Sequence, residues 1–281
     1  MDVSVVIPAK NEAENLKLLL PELADYISLD RVIVVDDGST DDTAKVCEAL
    51  NVKTVKHAYS KGNGSAIKSG ARAAETEWIL FMDADGQHPP SAIPALIAHS
   101  KKGADLVVGA RSAEAQASVG RSLANGIYNK LSSMMVGHKI LDLTSGFRLV
   151  KRKLFLEFIH LLPNGFSYPT TSTMAFFRAG YSVDFVPFEG KKREGKSHIS
   201  PLKDGVRFLL IIFKIAILYS PLKIFFPASM VFFFGGISYY AYTYIEMGRF
   251  TNMSALLFIC SMMVFLMGLI SEQIAMLLYK D

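Results

Sequence analysis

"WILFMDADGQHPP" (78–90) is the stretch on which the reading of this chain turns. Five apolar residues run straight into Asp83 and Asp85, which stand two apart. If Ile79–Met82 is a buried strand, its side chains alternate faces, and the two carboxylates near its end point the same way. Neighbouring carboxylates repel, and ionisation of the second is resisted. A divalent cation is the simplest offset, because hard oxygen ligands suit Mg²⁺ or Mn²⁺. Asp83, Asp85 and Gln87 form the expected oxygen-ligand set. His88 stands before Pro89-Pro90 and reads as structural rather than catalytic.

Around this stretch, short β-branched runs alternate with helical patterns. Val3–Ile7, Val32–Val35, Val52–Lys56, Ile79–Met82 and Leu106–Val108 read as strands. Residues 11–26, 41–50, 63–75 and 90–101 read as helices. That order predicts an α/β domain with a mostly parallel sheet and helices on both faces. Ligands of such sheets bind at the carboxyl ends of the strands. The polar clusters fall there: Pro8–Glu12, Asp36–Asp41 and Asp83–Gln87.

The whole chain has 281 residues, 51% of them hydrophobic and 20% charged, with a mean hydropathy of +0.28. The apolar excess sits at one end. Residues 1–201 are expected to form the globular domain. Residues 202–222 carry Asp204, Arg207 and Lys214 in an apolar run, the pattern of an amphipathic helix lying in a membrane interface. Residues 223–281 hold two uncharged stretches, Ile224–Ile245 and Met253–Ser271, each long enough to span a bilayer. Lys203, Arg207, Lys214 and Lys223 precede the first and Lys280 follows the second, so the positive-inside rule places the globular domain in the cytoplasm. The first strand begins at Val3, which is not the pattern of a signal peptide. A net charge of +4 without a long basic tract argues against nucleic acid as a partner. The two cysteines, Cys47 and Cys260, make no disulfide framework.

Three further motifs carry candidate chemistry. "VIPAKNEAENL" (6–16) closes a strand and opens a helix whose amides could meet phosphate or base oxygens; its acidic first turn is equally a dipole match, with Asn11 as cap. "VVDDGSTDDT" (34–43) is either a turn with an acidic cap or a strand end at which one carboxylate of Asp36-Asp37 accepts hydrogen bonds from a base or ribose. "YSKGNGSAIKSG" (59–70) offers glycines for close approach and Lys61 for a phosphate, at neither of the familiar phosphate-loop spacings.

Together, VIPAKNE, VVDDGSTD, KGxGxAI (61–67), DADGQHPP, GARS (109–112), DLTSGFRLV (142–150) and GKSHIS (195–200) resemble family 2 glycosyltransferases of the GT-A fold. Within that family the chain looks most like the polyprenyl-phosphate branch, which includes dolichyl-phosphate mannose synthase. The paired C-terminal spans and "GLISEQIA" (268–275) extend the likeness to nearly the whole chain. The resemblance implies a nucleotide sugar donor, a polyprenyl phosphate acceptor, a membrane setting and an inverting, metal-dependent transfer. Donor contacts then fall to Pro8, Asn11, Glu12, Asp37, Lys61, Gly64, Asp83, Ala84, Lys192, Arg193 and Lys196. Arg111, Arg121 and Asn125 are implied to face the lipid phosphate, and Asp85 and Asp142 join the arginines as catalytic candidates. Asp142 reads equally as a turn cap. Mannose synthases often carry Arg at the place of Lys192, which turns the donor expectation toward UDP-glucose or UDP-N-acetylglucosamine and away from GDP-mannose. A processive synthase is disfavoured, because Trp78 is the sole tryptophan and no QxxRW motif exists. A non-enzymatic membrane nucleotide-binding module is argued against by the intact acidic motif. Self-association is left open.

Overall fold

The structure is a computed structural model that describes residues 1–111, 119–165, 167–190, 217 and 219–277. The side chains of residues 119–125 and 127 lie outside that description. Lys192, Arg193, Lys196 and nearly all of the expected interfacial helix also lie outside it. The chain divides into two compact units, Met1–His198 and Ile199–Asp281.

The first unit is built on a seven-stranded sheet. Its strands are β1 (Val3–Ala9), β2 (Val32–Asp36), β3 (Lys53–Lys56), β4 (Trp78–Phe81), β5 (Leu106–Arg111), β6 (Arg148–Lys151) and β7 (Val183–Phe188), in the order β3-β2-β1-β4-β6-β5-β7. All neighbours are parallel except β6, which runs antiparallel to β4 and β5. The expected five strands are present; β6 and β7 complete the sheet. Helices α1 (Ala13–Ala24), α2 (Thr43–Ala49), α3 (Asn63–Ala73) and α4 (Ile93–Ser100) fall on the four expected segments. They are joined by α5 (Val119–Val136), α6 (Arg152–Glu157) and α7 (Tyr168–Arg178).

Both faces of the sheet are covered, so the central strands are apolar throughout rather than alternating. Val5, Ile7, Val34 and Leu80 share one core with Leu16 and Leu20 of α1, Cys47 of α2 and Leu96 of α4. On the other face, Gly70 of α3 is seated so closely that a Cβ there would fall 2.2 Å from a methyl of Val6. The Phe81 ring meets Phe155 of α6 at 4.7 Å.

Two topological facts position the site. The chain leaves β1 for β2 on one side and returns to β4 on the other, which opens a crevice at the carboxyl ends of β1 and β4. Because β6 is antiparallel, its amino end lies at that same edge, with Arg148 opposite Phe81. Pro8 stands past the last β1–β4 pair, Val6 with Phe81, so its missing N–H leaves no gap in that ladder.

The second unit contains a hairpin of α8 (Leu222–Met247) and α9 (Asn252–Leu277), both long and apolar enough to cross a membrane. Their buried residues recur every seventh position: Ser229, Gly236 and Thr243 on α8, then Ser254, Ser261, Gly268 and Ala275 on α9. That small-residue stripe lets the backbones approach, as apolar helices in lipid require. Ser261 donates to the Ser229 carbonyl at 2.8 Å. The large side chains, Phe234, Ile245, Met262 and Ile270 among them, point outward. The Glu272 carboxylate accepts from the Leu222 amide and so caps α8 from the partner helix. Both cysteines are free.

Candidate active site

The acidic motif lies in a turn just past β4, not in the strand itself. Ala84 is buried in the core, and Asp83 and Asp85 on either side are partly buried. Ala84 can therefore meet a ligand only through its backbone. Gly86 takes a positive φ of 71°, which glycine permits without strain, and the Gln87 amide donates to Asp85 Oδ1 at 3.2 Å. His88 is buried, stacked on Phe147, and its Nδ1 accepts from the Asp83 amide at 3.1 Å. Burial holds its pKa down at about 4, so it is neutral and structural, as expected. Burial pushes the Asp83 carboxyl upward, against the pull of the Arg111 and Arg148 charges.

At the end of β5, Arg111 forms a two-pronged ion pair with Asp142. Its Nε donates to Oδ2 at 2.8 Å and its Nη2 to Oδ1 at 3.1 Å. Nη2 also reaches Thr144 Oγ1 at 2.7 Å. The Asp142 oxygens further accept from the Thr144 amide and hydroxyl and the Arg111 amide. Burial would raise the Asp142 carboxyl, but these contacts outweigh it and hold it low. Burial alone would lower Arg111, and the carboxylates around it raise it instead. Among the described residues, Nη1 of Arg111 has no partner. Asp142 thus holds Arg111 and also closes its own turn through the Thr144 amide and hydroxyl, the turn-cap reading of the sequence.

Asp37 is also fully engaged. Its Oδ1 accepts from His57 Nδ1 at 2.6 Å and the Lys61 amide at 2.8 Å. Its Oδ2 accepts from Ser60 Oγ at 2.8 Å and the Gly62 amide at 2.9 Å. Burial raises this carboxyl, but the four donors prevail and bring it to about 2. A carboxylate offers about four acceptor positions. In this arrangement Asp37 orders the 57–62 loop. His57 in turn bridges to Ser69 at 2.8 Å.

The expected helix-start cradles are likewise occupied from within. The Glu12 amide donates to Thr43 Oγ1 and the Ala13 amide to Asp41. Asn11, at a φ of 57°, does not cap α1; its Oδ1 accepts from the Thr40 amide at 2.8 Å. Glu12 accepts from Asn15. At α3, the Gly64 and Ser65 amides donate to the Gly165 and Asn164 carbonyls. A Cβ on Gly64 would lie 2.1 Å from the Pro163 carbonyl oxygen, so this glycine admits the chain's own backbone. Lys61 extends over the exposed Tyr59 ring at 5.6 Å.

One group was missed from the sequence. Arg148 is fully buried in the TSGFR segment (144–148) beside the acidic turn. Burial lowers its pKa, opposed by the negative charge of Asp142 and Asp83. An arginine opening an apolar strand was the available signal. Arg121 and Asn125 belong to α5, and their side chains lie outside the described residues.

A β1/β4 switch point edged by the acidic turn and a held guanidinium is where an open α/β sheet places its ligands. The chain belongs to the glycosyl transferase family 2, whose model matches residues 4–158, and the model of the GtrB C-terminal hairpin matches 220–277. It is 37% identical to a dolichol-phosphate mannosyltransferase of Pyrococcus furiosus, over 59% of this chain and 50% of that protein, so it spans half the length of that relative. It is 30% identical to an undecaprenyl-phosphate mannosyltransferase of Micrococcus luteus, over 71% of this chain and 88% of that one. Its fold matches glucosyl-3-phosphoglycerate synthase of Mycobacterium tuberculosis, crystallised with Mn²⁺, UDP-glucose and phosphoglyceric acid. That match has a TM-score of 0.61 at 20% identity and covers 76% of this chain and 78% of the other.

Proposed function

We propose that this chain transfers a sugar from a nucleoside diphosphate sugar to a membrane polyprenyl phosphate, with inversion at the anomeric carbon. The observation that carries the reading is the union, in one chain, of the family 2 sheet with the two-helix hairpin. The relatives named above for dolichol phosphate and undecaprenyl phosphate support it.

The donor lies across the strand ends, its base toward Pro8, Asn11 and Glu12 and the loop ordered by Asp37. Asp83 and Asp85, with Gln87 beside them, would hold Mg²⁺ or Mn²⁺. The donor types fit: Asp83 and Asp85 flank the buried Ala84 in the turn past β4, and such an ion is commonly held by one or two carboxylates plus phosphate oxygens. When bound, the ion neutralises charge on the leaving diphosphate. Lys61, Lys192, Arg193 and Lys196 add positive charge on the donor side.

Arg111, aligned by Asp142, offers Nη1 to the acceptor phosphate, with Arg121 and Asn125 on α5 as further contacts. A phosphate monoester has a second pKa of about 6, so the acceptor is largely dianionic at neutral pH and is its own nucleophile. No general base is required, in keeping with the buried, neutral His88. Direct attack inverts the anomeric centre. The hairpin anchors the enzyme where its lipid resides, with the catalytic unit on the cytoplasmic side. Lys192 favours UDP-glucose or UDP-N-acetylglucosamine as donor.

The test is radiolabel transfer from UDP-glucose, UDP-N-acetylglucosamine and GDP-mannose to undecaprenyl and dolichyl phosphate, with Mg²⁺ or Mn²⁺. A lipid-linked product of inverted configuration is expected. No lipid product from any pairing would refute the reading.

A further inference from the structure

Arg148 is buried without a contacting carboxylate among the described residues. Its guanidinium is satisfied by neutral oxygens. Nε and Nη2 both donate to the Ser145 carbonyl, the first at 3.1 Å. Nη1 donates to the Pro169 carbonyl at 2.8 Å, to Ser172 Oγ at 2.7 Å and to Thr173 Oγ1 at 3.2 Å. Burying a charge this way is expensive, and an apolar residue is often the more stable choice where only packing is at stake. The arrangement calls for a reason beyond joining β6 to α7.

The reason lies two residues back. Gly146 sits against Asp83 so closely that a methyl group on it would fall 2.7 Å from Oδ2 and 3.1 Å from Oδ1. The Gly146 carbonyl is itself held by the Tyr168 hydroxyl at 3.3 Å. Arg148 stacks over that tyrosine ring at 5.7 Å. The Asp83 carboxylate therefore rests on a turn gripped from behind by one guanidinium.

We propose that Arg148 is a positioning residue for Asp83: its forked grip on the Ser145 carbonyl fixes the Ser145–Gly146 turn that seats the carboxylate. This deepens the donor-site reading above and rests on it. Lysine keeps the charge but cannot reproduce the fork.

The experiment uses the full chain in detergent and follows Mn²⁺ binding by the loss of its free-ion resonance, with UDP and GDP tried in turn. Thermal midpoints are recorded alongside. Arg148→Lys and Gly146→Ala should each weaken Mn²⁺–nucleotide binding by about 10–100-fold, the usual cost of disturbing a group that orients a ligand. Gly146 is not in the positive-φ region and its Cβ would meet only the Asp83 side chain, so the alanine variant should fold, and its thermal midpoint should fall less than that of Gly64→Ala, whose Cβ meets backbone. The two effects should also be less than additive, because both act on one turn. If Arg148→Lys does not fold, Ser172→Ala/Thr173→Val, which removes two acceptors of Nη1, should weaken binding in the same direction. Folded variants that bind Mn²⁺ like the parent protein would overturn the proposal. A parent protein that binds Mn²⁺ with neither nucleotide would instead refute the donor-site reading.

Discussion

Arg111 and Asp142 meet through two parallel hydrogen bonds, at 2.8 and 3.1 Å, and so tie the end of β5 to the loop before β6. Among the described residues, the pair leaves Nη1 as the donor edge of Arg111. Arg111→Ala should raise the apparent KM for polyprenyl phosphate by about 10–100-fold, the worth of a charge-assisted hydrogen bond. Asp142→Asn should act in the same direction by releasing the guanidinium. Nucleotide affinity should change little in both. Steady-state kinetics with each substrate varied decides it: loss of nucleotide affinity with normal lipid kinetics would move Arg111 to the donor side.

Asp85→Asn keeps the side-chain shape and the acceptor for the Gln87 amide but removes one charge. Turnover should fall on the order of 10²–10³-fold, as when a group that stabilises transition-state charge is lost. Circular dichroism should be unchanged. Near-normal turnover with Mg²⁺ or Mn²⁺ would remove Asp85 from the ion's ligands.

Asp37 predicts a pH signature. Its carboxyl sits at about 2 in the folded chain, below the ordinary 3.8. A lowered folded value means that the four hydrogen bonds contribute above about pH 4, and that the contribution disappears as pH falls toward 2. The linked stability is roughly 2 kcal/mol. Asp37→Asn should therefore be less stable than the parent protein at neutral pH, with the gap closing in acid. Denaturant unfolding at several pH values measures this, and a gap that does not vary with pH would contradict it.

Gly64→Ala tests whether the glycine serves the fold. A Cβ there meets backbone oxygens of Pro163 and Gly165, which cannot move aside as a flexible side chain can. A loss of about 1–3 kcal/mol is expected from the overpacking. An unchanged thermal midpoint would show that the contact with residues 163–165 relaxes freely.

The order of strands and helices up to β5 was legible in the chain, because apolar period and turn chemistry are local properties. So were the two apolar spans, since length and lack of charge suffice to identify them. The acidic turn and its neighbours could be placed at strand ends because polar clusters interrupt apolar runs there. Tertiary structure decided what those residues do for one another. The antiparallel entry of β6 brings Gly146 beneath Asp83 and buries Arg148 behind it, although more than sixty positions separate Asp83 from that turn. Asp142 meets Arg111 across the same edge, and Asp37 spends its carboxylate on a loop twenty residues on. Hydrogen-bond saturation depends on which donors the fold delivers, and a residue's spacing in the chain carries no record of it. In the hairpin, the seven-residue recurrence of small side chains was written in the sequence, but only the packed pair shows that this stripe faces inward, where backbones must approach for lack of a hydrophobic driving force between helices in lipid.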